Sequence, residues 1–232
     1  MRQRRANFRT WTEPHTGSAP SIAEANFEQI EESRARVIHE RFHYLASFRF
    51  ESLHLGLTWE RNQYRRLMAL LTVSPFDLPH VTAFLPPEVT AQEVKVVSRV
   101  YSFDWAPLNT VSSLMGETFR FMRDREPNTR VLLTYLNPNL GFRGTSYEAS
   151  NWVSFGHEHG TRYAYLDGSY ITDRELRRKF GTADPAALGS GLGPRFSVTT
   201  VPMKPLRLYA YFIDRRLRSH YRDGFDHQFR SP

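Results

Sequence analysis

The sequence predicts one mixed α/β (α+β) domain, a central twisted sheet with parallel and antiparallel neighbours, flanked by helices. Three observations carry this. The chain has 232 residues, the length of one large domain. Forty per cent of them are hydrophobic and 14% aromatic, enough to fill a core. Apolar stretches at strand spacing alternate with stretches at helical spacing, with no internal repeat.

Taken in order, residues 1–18 are arginine-rich and then Glu-Pro-His-Thr-Gly-Ser, a flexible basic arm. Ser21 and Glu24 stand at capping-box spacing and open a predicted helix to about His39, with Phe27, Ile30 and Val37 on its apolar side. Leu53, Leu55, Leu57 and Trp59 alternate with His54, Gly56 and Thr58, which predicts a strand with one buried face. A turn at Arg61–Tyr64 leads into Leu67–Val73, a nearly continuous apolar strand covered on both faces. Ser74-Pro75 ends it, and a loop punctuated by Pro79, Pro86 and Pro87 comes next.

Val94–Phe103 is a further strand. Asn109 is placed to cap a helix whose Val111, Leu114, Met115, Thr118 and Met122 recur at helical spacing. Arg130–Leu136 reads as a short apolar strand, Asn137–Gly144 as a tight loop with two glycines, Thr145–Asn151 as a short helix and Trp152–Phe155 as a strand. The Asp167-Gly168 pair inside Tyr163–Ile171 is a two-residue hairpin signal. Asp173–Phe180 is a basic helix, 181–200 a loop or flap rich in Gly, Pro, Ser and Ala, Lys204–Ile213 a last strand and Arg215–Tyr221 a basic helix. One domain over 19–213 is expected between the arm and a basic tail, 214–232. The strand–helix–strand centre implies parallel neighbours, with a ligand site where helix N-termini meet the carboxyl ends of strands.

Net charge is +7, and it sits at the ends. Residues 1–12 carry +4 through Arg2, Arg4, Arg5 and Arg9; residues 204–232 also carry +4, and the body is near neutral. Guanidinium stays charged and forks onto phosphate, so cationic ends suit a polyanion. A GC-rich genome equally yields 28 arginines against three lysines. The absence of cysteine excludes disulfides, a thiolate zinc site and a thiol nucleophile. No apolar run reaches the ~18–20 residues of a membrane span, and no apolar segment stands behind Met1-Arg-Gln-Arg-Arg as in a secretory signal. A soluble intracellular protein is expected.

Residues 96–156 carry the chemistry. His43-Tyr44-Leu45 comes before them; Arg99 on its strand then precedes Pro107-x-Asn109-x-x-Ser112 at a helix start. Next come Tyr135-x-x-Pro138 and Gly141-x-x-Gly144-Thr145-x-Tyr147-x-Ala149, then Trp152 and Gly156. In this order, over roughly residues 40–213, the chain resembles the Gcn5-related N-acetyltransferase (GNAT) superfamily, and within it the Mom-like DNA-modification proteins of phage.

That resemblance implies a GNAT-like acyl-CoA N-acyltransferase fold, with acetyl-CoA or another acyl-CoA as cofactor, no metal, and DNA as partner. It implies a transferase of the adenine N6-modifying, anti-restriction type, in the cytoplasm of a bacterial or phage-infected cell. In Mom itself the product is a carbamoylmethyl group on adenine N6. Arg99, Tyr147 and Ser112 are its expected catalytic residues, Tyr147 as the acid that protonates a leaving thiolate. Asn109, Ser112, Ser113 and Gly144 are expected to hold the cofactor, on a turn that lacks the superfamily's usual glycine-rich form. Arg4, Arg5, Arg143, Arg174, Arg215, Arg216 and Arg218 are expected to meet nucleic acid.

Where the family shows an aspartate and a histidine, this chain has Asn137 and Phe142, which neither titrate nor suit a metal. His157-Glu158-His159 lacks a third histidine at helical spacing. Plainer readings stand beside each choice: Arg99 on a polar strand edge, Tyr147 and Trp152 as core aromatics, Ser112 as a first-turn polar residue and His43 as a buried, satisfied histidine. A GNAT enzyme acting on a protein or small-molecule amine, and a non-catalytic nucleic-acid-binding relative, are the alternatives.

Overall fold

The computed structural model describes residues 20–61, 64–158, 162–171, 173–199, 203–225 and 227–229. The basic arm with Arg4 and Arg5 lies outside them.

Eleven strands are present among these residues: β1 (Ala25–Gln29), β2 (Leu53–Arg61), β3 (Tyr64–Pro75), β4 (Val94–Ser102), β5 (Val131–Leu136), β6 (Val153–Glu158), β7 (Ala164–Leu166), β8 (Ser169–Ile171), β9 (Phe196–Val198), β10 (Leu206–Phe212) and β11 (His227–Phe229). The helices are α1 (Glu32–Arg41), α2 (Pro79–Thr82), α3 (Thr110–Arg125), α4 (Thr145–Ala149), α5 (Asp173–Phe180), α6 (Pro185–Leu192) and α7 (Arg215–His220). Eight strands form one sheet in the order β1-β2-β3-β4-β5-β10-β6-β11; β8-β7-β9 form a second.

Strand parity divides the core. Leu132 and Leu136 of β5 point to the face covered by α3, where Leu114, Met115, Phe119 and Met122 meet Met68, Leu71 and Tyr211. Val131 and Leu133 point to the opposite face, with Phe155, Leu208, Phe212 and Leu217. Further along that opposite face, Ala35 and Ile38 of α1 cover Leu67, Leu70, Tyr101 and Phe103. Ala164, Ile171, Leu176, Leu188 and Phe196 make a separate small cluster in the second sheet and its helices.

Two features of β4 position the site. It pairs with β5 only over Val94–Val96 against Val131–Leu133, although both strands run further. Beyond that point they splay apart. Opposite β3, Thr72 pairs with Arg99 but Val73 with Val97, so Ser98 is an extra residue that re-aims the strand from Arg99 onward.

Several sequence expectations are corrected. The helix expected from Ser21 starts only at Glu32. Ser21 caps a 3-10 turn, Ile22–Glu24, and residues 25–29 pair with β2. Glu24 takes the Trp59 indole N–H at 3.0 Å instead of closing a capping box. The supposed open face of β2 is covered: His54 and Thr58 are buried, and a β-carbon on Gly56 would strike Leu67 and Ile30. Asn109 holds the helix N-cap position, but with φ 67° and no side-chain cap bond. The presumed loop at 181–200 contains α6, which Asp184 caps by accepting from Ala187 N at 2.9 Å, and β9. From 214 onward the expected tail is folded: Leu217 is buried and β11 pairs in parallel with β6. The Asp167-Gly168 hairpin forms with both residues left-handed, as its turn requires.

Candidate active site

The splay between β4 and β5 opens a cavity of about 290 Å³, lined by both strands, by Val111 and Met115 of α3, by His43 and Tyr44, and by Phe142–Tyr147. Thr134 spans it at the bottom. Its hydroxyl donates to the Val97 carbonyl at 2.9 Å, taking over where the strand ladder stops.

Arg99 is half-buried in the wall of this cavity. It donates to the Ser98 carbonyl at 2.6 Å and to Ser47 Oγ at 3.0 Å, while its Nε is shut off from water with no partner. No carboxylate stands within ion-pair distance of it among the described residues. Burial lowers its pKa to about 10, so it stays cationic at neutral pH. The surface alternative for Arg99 is thereby removed.

Beside Arg99 are imidazoles held neutral. His39 Nε2 and His54 Nδ1 both contact the Thr72 hydroxyl, at 2.8 and 2.9 Å. Burial, then the charge of Arg99, pulls the pKa of His39 down to about 3 and that of His43 well below its ordinary value. His43 Nδ1 accepts the Leu45 amide at 3.2 Å, so this histidine is satisfied locally.

Tyr147 lies across the cavity, its ring stacked on Tyr209 and edge-on to Trp152. Burial raises its pKa. Its hydroxyl is 3.4 Å from Thr134 Oγ1, too long for a strong O–H···O bond. Gly144 enters α4 at φ +90°, and a β-carbon there would lie 2.8 Å from the Tyr209 hydroxyl.

Ser112 is elsewhere. With Asn109, Ser113, Gly116, Arg120 and Arg123 it lines a groove of about 780 Å³ along α3. Its hydroxyl donates to the Asn109 carbonyl at 3.0 Å. So of the three expected catalytic residues, Arg99 and Tyr147 share the cavity and Ser112 does not.

The expected nucleic-acid residues divide as well. Arg143 is exposed on the cavity rim. Arg174 belongs to α5, but its side chain lies outside the described residues. Arg215 and Arg216 are exposed on α7, which leaves the sheet where Phe212 pairs with Val131. That is five residues along β5 from Leu136 at the cavity, about 17 Å at ~3.3 Å per residue. Arg218 is half-buried: it donates to the Phe212 carbonyl at 3.0 and 2.8 Å and lies 4.5 Å over the Tyr211 ring. These bonds tie its guanidinium to the end of β10.

Asn137 caps the loop, accepting from Asn139 N at 3.0 Å and donating to the Tyr163 hydroxyl. No group of three or more His, Asp or Glu able to hold a metal occurs among the described residues. His159 lies outside them. Trp152 fills core. Asp77 is paired with Arg49 at 2.9 Å, and Asp104 is exposed.

Sequence reasoning missed Thr134, the Thr72-centred histidine pair, and a contact of His80 with Tyr135 and Glu158, each at 3.3 Å. Those last partners are 55 and 78 residues away in sequence, and no local pattern announces them.

Among the described residues no helix is long and apolar enough to cross a membrane. No curated protein matches the chain. Among solved structures it resembles Arabidopsis thaliana NAA60 in complex with acetyl-CoA, at 12% identity and TM-score 0.50, covering 82% of this chain and 98% of that one. It also resembles the Vibrio cholerae spermidine/spermine N-acetyltransferase SpeG, at 8% identity and TM-score 0.47, over 85% and 97%. The fold, with its splayed central strands, is that of the GNAT N-acetyltransferases. The sequence model of the Mom protein family matches residues 24–228. That match takes in every residue that lines the cavity, and the chain belongs to the Mom protein family.

Proposed function

We propose that this protein is a GNAT-fold transferase that modifies nucleobases in DNA, with an exocyclic amine of the adenine N6 kind as acceptor and an acyl-CoA as donor. The observation that carries this reading is the charge of the cavity. It is lined by Arg99 and Arg143 and by no aspartate or glutamate among the described residues. An alkylammonium acceptor such as a polyamine or a lysine would bring a cation to a cation, with no carboxylate to receive it or take its proton. A purine's exocyclic amine is uncharged at neutral pH, because its lone pair is delocalised into the ring. The polyanionic backbone around it suits an arginine-lined rim.

The residues present fit an acyl-CoA. Along the α3 groove, Thr110 and Ser113 N–H bond back to Pro107 and Asn109 carbonyls. The Val111 and Ser112 amides between them belong to the helix end, where N–H groups lack intrahelical partners and favour an anion. A β-carbon on Gly116 would meet nothing within 4 Å, which leaves room for close approach. Asn109, Ser112, Ser113 and Arg123 would hold the phosphates, and Gly144 borders the cavity end. When bound, the cofactor supplies an activated acyl group and a sulfur leaving group that needs a proton.

The chain's own residues answer that need. Tyr147 holds a proton at Oη at neutral pH, as a phenol ordinarily does and as burial further favours by raising its pKa, and at 3.4 Å Thr134 does not tie that proton up. Tyr209 and Trp152 fix the ring's direction. Arg99 presents a guanidinium, held by Ser98 and Ser47, to an oxygen on which negative charge develops.

The test is mass spectrometry of nucleosides from DNA co-expressed with the protein. A modified adenine nucleoside is expected with the wild type, falling roughly 10²–10³-fold with Arg99→Ala. Unmodified nucleosides in both, from cells making folded protein, would refute the assignment.

A further inference from the structure

The loop after β5 is pinned at its base and open at its tip. Asn139 accepts the Lys204 amide at 2.7 Å and donates to the Lys204 carbonyl at 2.8 Å, and Asn137 is tied to Tyr163. Gly141 and Gly144 then turn the chain at φ +84° and +90°, and between them stand Phe142 and Arg143. Phe142 is 41% exposed, one of few large apolar side chains left in water among the described residues. It also lines the cavity, with its ring 5.7 Å from that of Tyr44. Arg143 is exposed beside it and makes no ion pair among the described residues.

An apolar ring half in and half out of a cavity, next to a free guanidinium, has the chemistry of a nucleotide site: a flat face for the base, a charge for its phosphate. A base stacked inside a duplex keeps its exocyclic amine out of reach of a cavity of about 290 Å³, so it must leave the stack first. Resting on the nucleobase-modifying reading above, we propose that the Gly141–Gly144 tip is a wedge for duplex DNA. Phe142 enters the space vacated by the extruded base, and Arg143 grips the neighbouring phosphate. Tyr44, behind Phe142, meets the base as it passes inward. Gly141 is exposed, and a β-carbon there would meet nothing within 4 Å, so the tip projects there without a side chain to crowd the duplex, while the buried Gly144 seats the loop's other end against the Tyr209 hydroxyl.

The test uses the full chain and a short duplex carrying one 2-aminopurine, whose fluorescence rises when it unstacks. Binding is followed separately by anisotropy at low salt. With wild type and Phe142→Trp, fluorescence rises on binding. With Phe142→Ala the rise is expected to fall roughly five- to hundredfold, as losing one stacking contact predicts, and an abasic site opposite the probe restores it. Arg143→Ala lowers the salt slope of binding by about one charge. If Phe142→Ala binds the duplex and unstacks the probe as the wild type does, the wedge is overturned and the nucleobase reading stands. If the wild type binds no DNA at low salt, the nucleobase reading falls, and the wedge with it.

Discussion

The Tyr147 hydroxyl lies 3.4 Å from Thr134 Oγ1, whose own proton is given to the Val97 carbonyl at 2.9 Å. At 3.4 Å the two hydroxyls share no strong bond, so Thr134 closes the bottom of the splay without committing the phenol. Because the Tyr147 ring is held by stacking on Tyr209 and by the edge of Trp152, removing only its oxygen leaves the packing in place.

Tyr147→Phe is accordingly expected to cut base modification by ~10²–10⁴-fold, the range of a lost general acid. Its melting temperature should stay within a degree or two of wild type. Nucleoside mass spectrometry paired with a thermal melt checks both parts. Full activity in this variant would remove Tyr147 from the chemistry and leave it a core aromatic.

Gly144 separates two contributions that usually travel together. Its φ of +90° is costly for any side chain, and a β-carbon would also press on the Tyr209 hydroxyl at 2.8 Å. Gly144→Ala should therefore lose about 1–3 kcal/mol, the cost of one strained residue, and more than Gly141→Ala, where φ is +84° but the space is open. Adding Tyr209→Phe to Gly144→Ala should recover the steric part and leave the backbone part. Denaturant melts of the four proteins decide it, and equal losses at both glycines would contradict the clash.

Strands β2 to β5 and helix α3 were legible in the sequence because their apolar spacing is local and strong. So was the Asp167-Gly168 turn, which needs two left-handed residues and has them. The strand at 25–29 was not, because Ser21 and Glu24 mimic a capping box while Glu24 is in fact drawn to Trp59, 35 residues away. Helix α6 was hidden by its glycines, although Asp184-Pro185 is a fair start signal. For the site, Arg99 and Tyr147 stood out on motif order. What joins them, Thr134 and the splay, depends on where β5 stops pairing with β4, and that is set by packing.

The basic C-terminal segment gives a sharper contrast. Arg218 is bonded to the Phe212 carbonyl and placed over Tyr211, whereas Arg215 and Arg216 are exposed. Arg218→Ala should destabilise by about 1–3 kcal/mol, from the lost charged hydrogen bonds and ring contact, and leave DNA affinity per folded molecule unchanged. Arg215→Ala and Arg216→Ala should leave stability within ~0.5 kcal/mol. Thermal melts beside anisotropy titrations distinguish the two classes; a stable Arg218→Ala with weakened binding would return that residue to the interface.

The buried imidazoles fix the protein's acid limit. His39 packs among Thr72, His54 and His43 with the Arg99 charge near, and burial first, then that charge, brings its pKa from 6.5 to about 3. His43 is held well below its ordinary value, and His54 is lowered by burial despite the opposing charge of Glu32. In the unfolded chain all three take up protons near pH ~6.5. Between the two values the unfolded chain binds more protons than the folded one, so stability rises with pH across that window. It is complete above ~6.5 and is lost as the pH falls toward the folded values, by up to ~1.4 kcal/mol per pH unit for each histidine. Urea midpoints should drop steadily below pH ~6.5, and less steeply for His39→Gln, which removes one titrating ring but keeps a partner for Thr72. A midpoint that stays level across that range would mean that the rings are already protonated in the native protein, with a counter-charge that offsets Arg99.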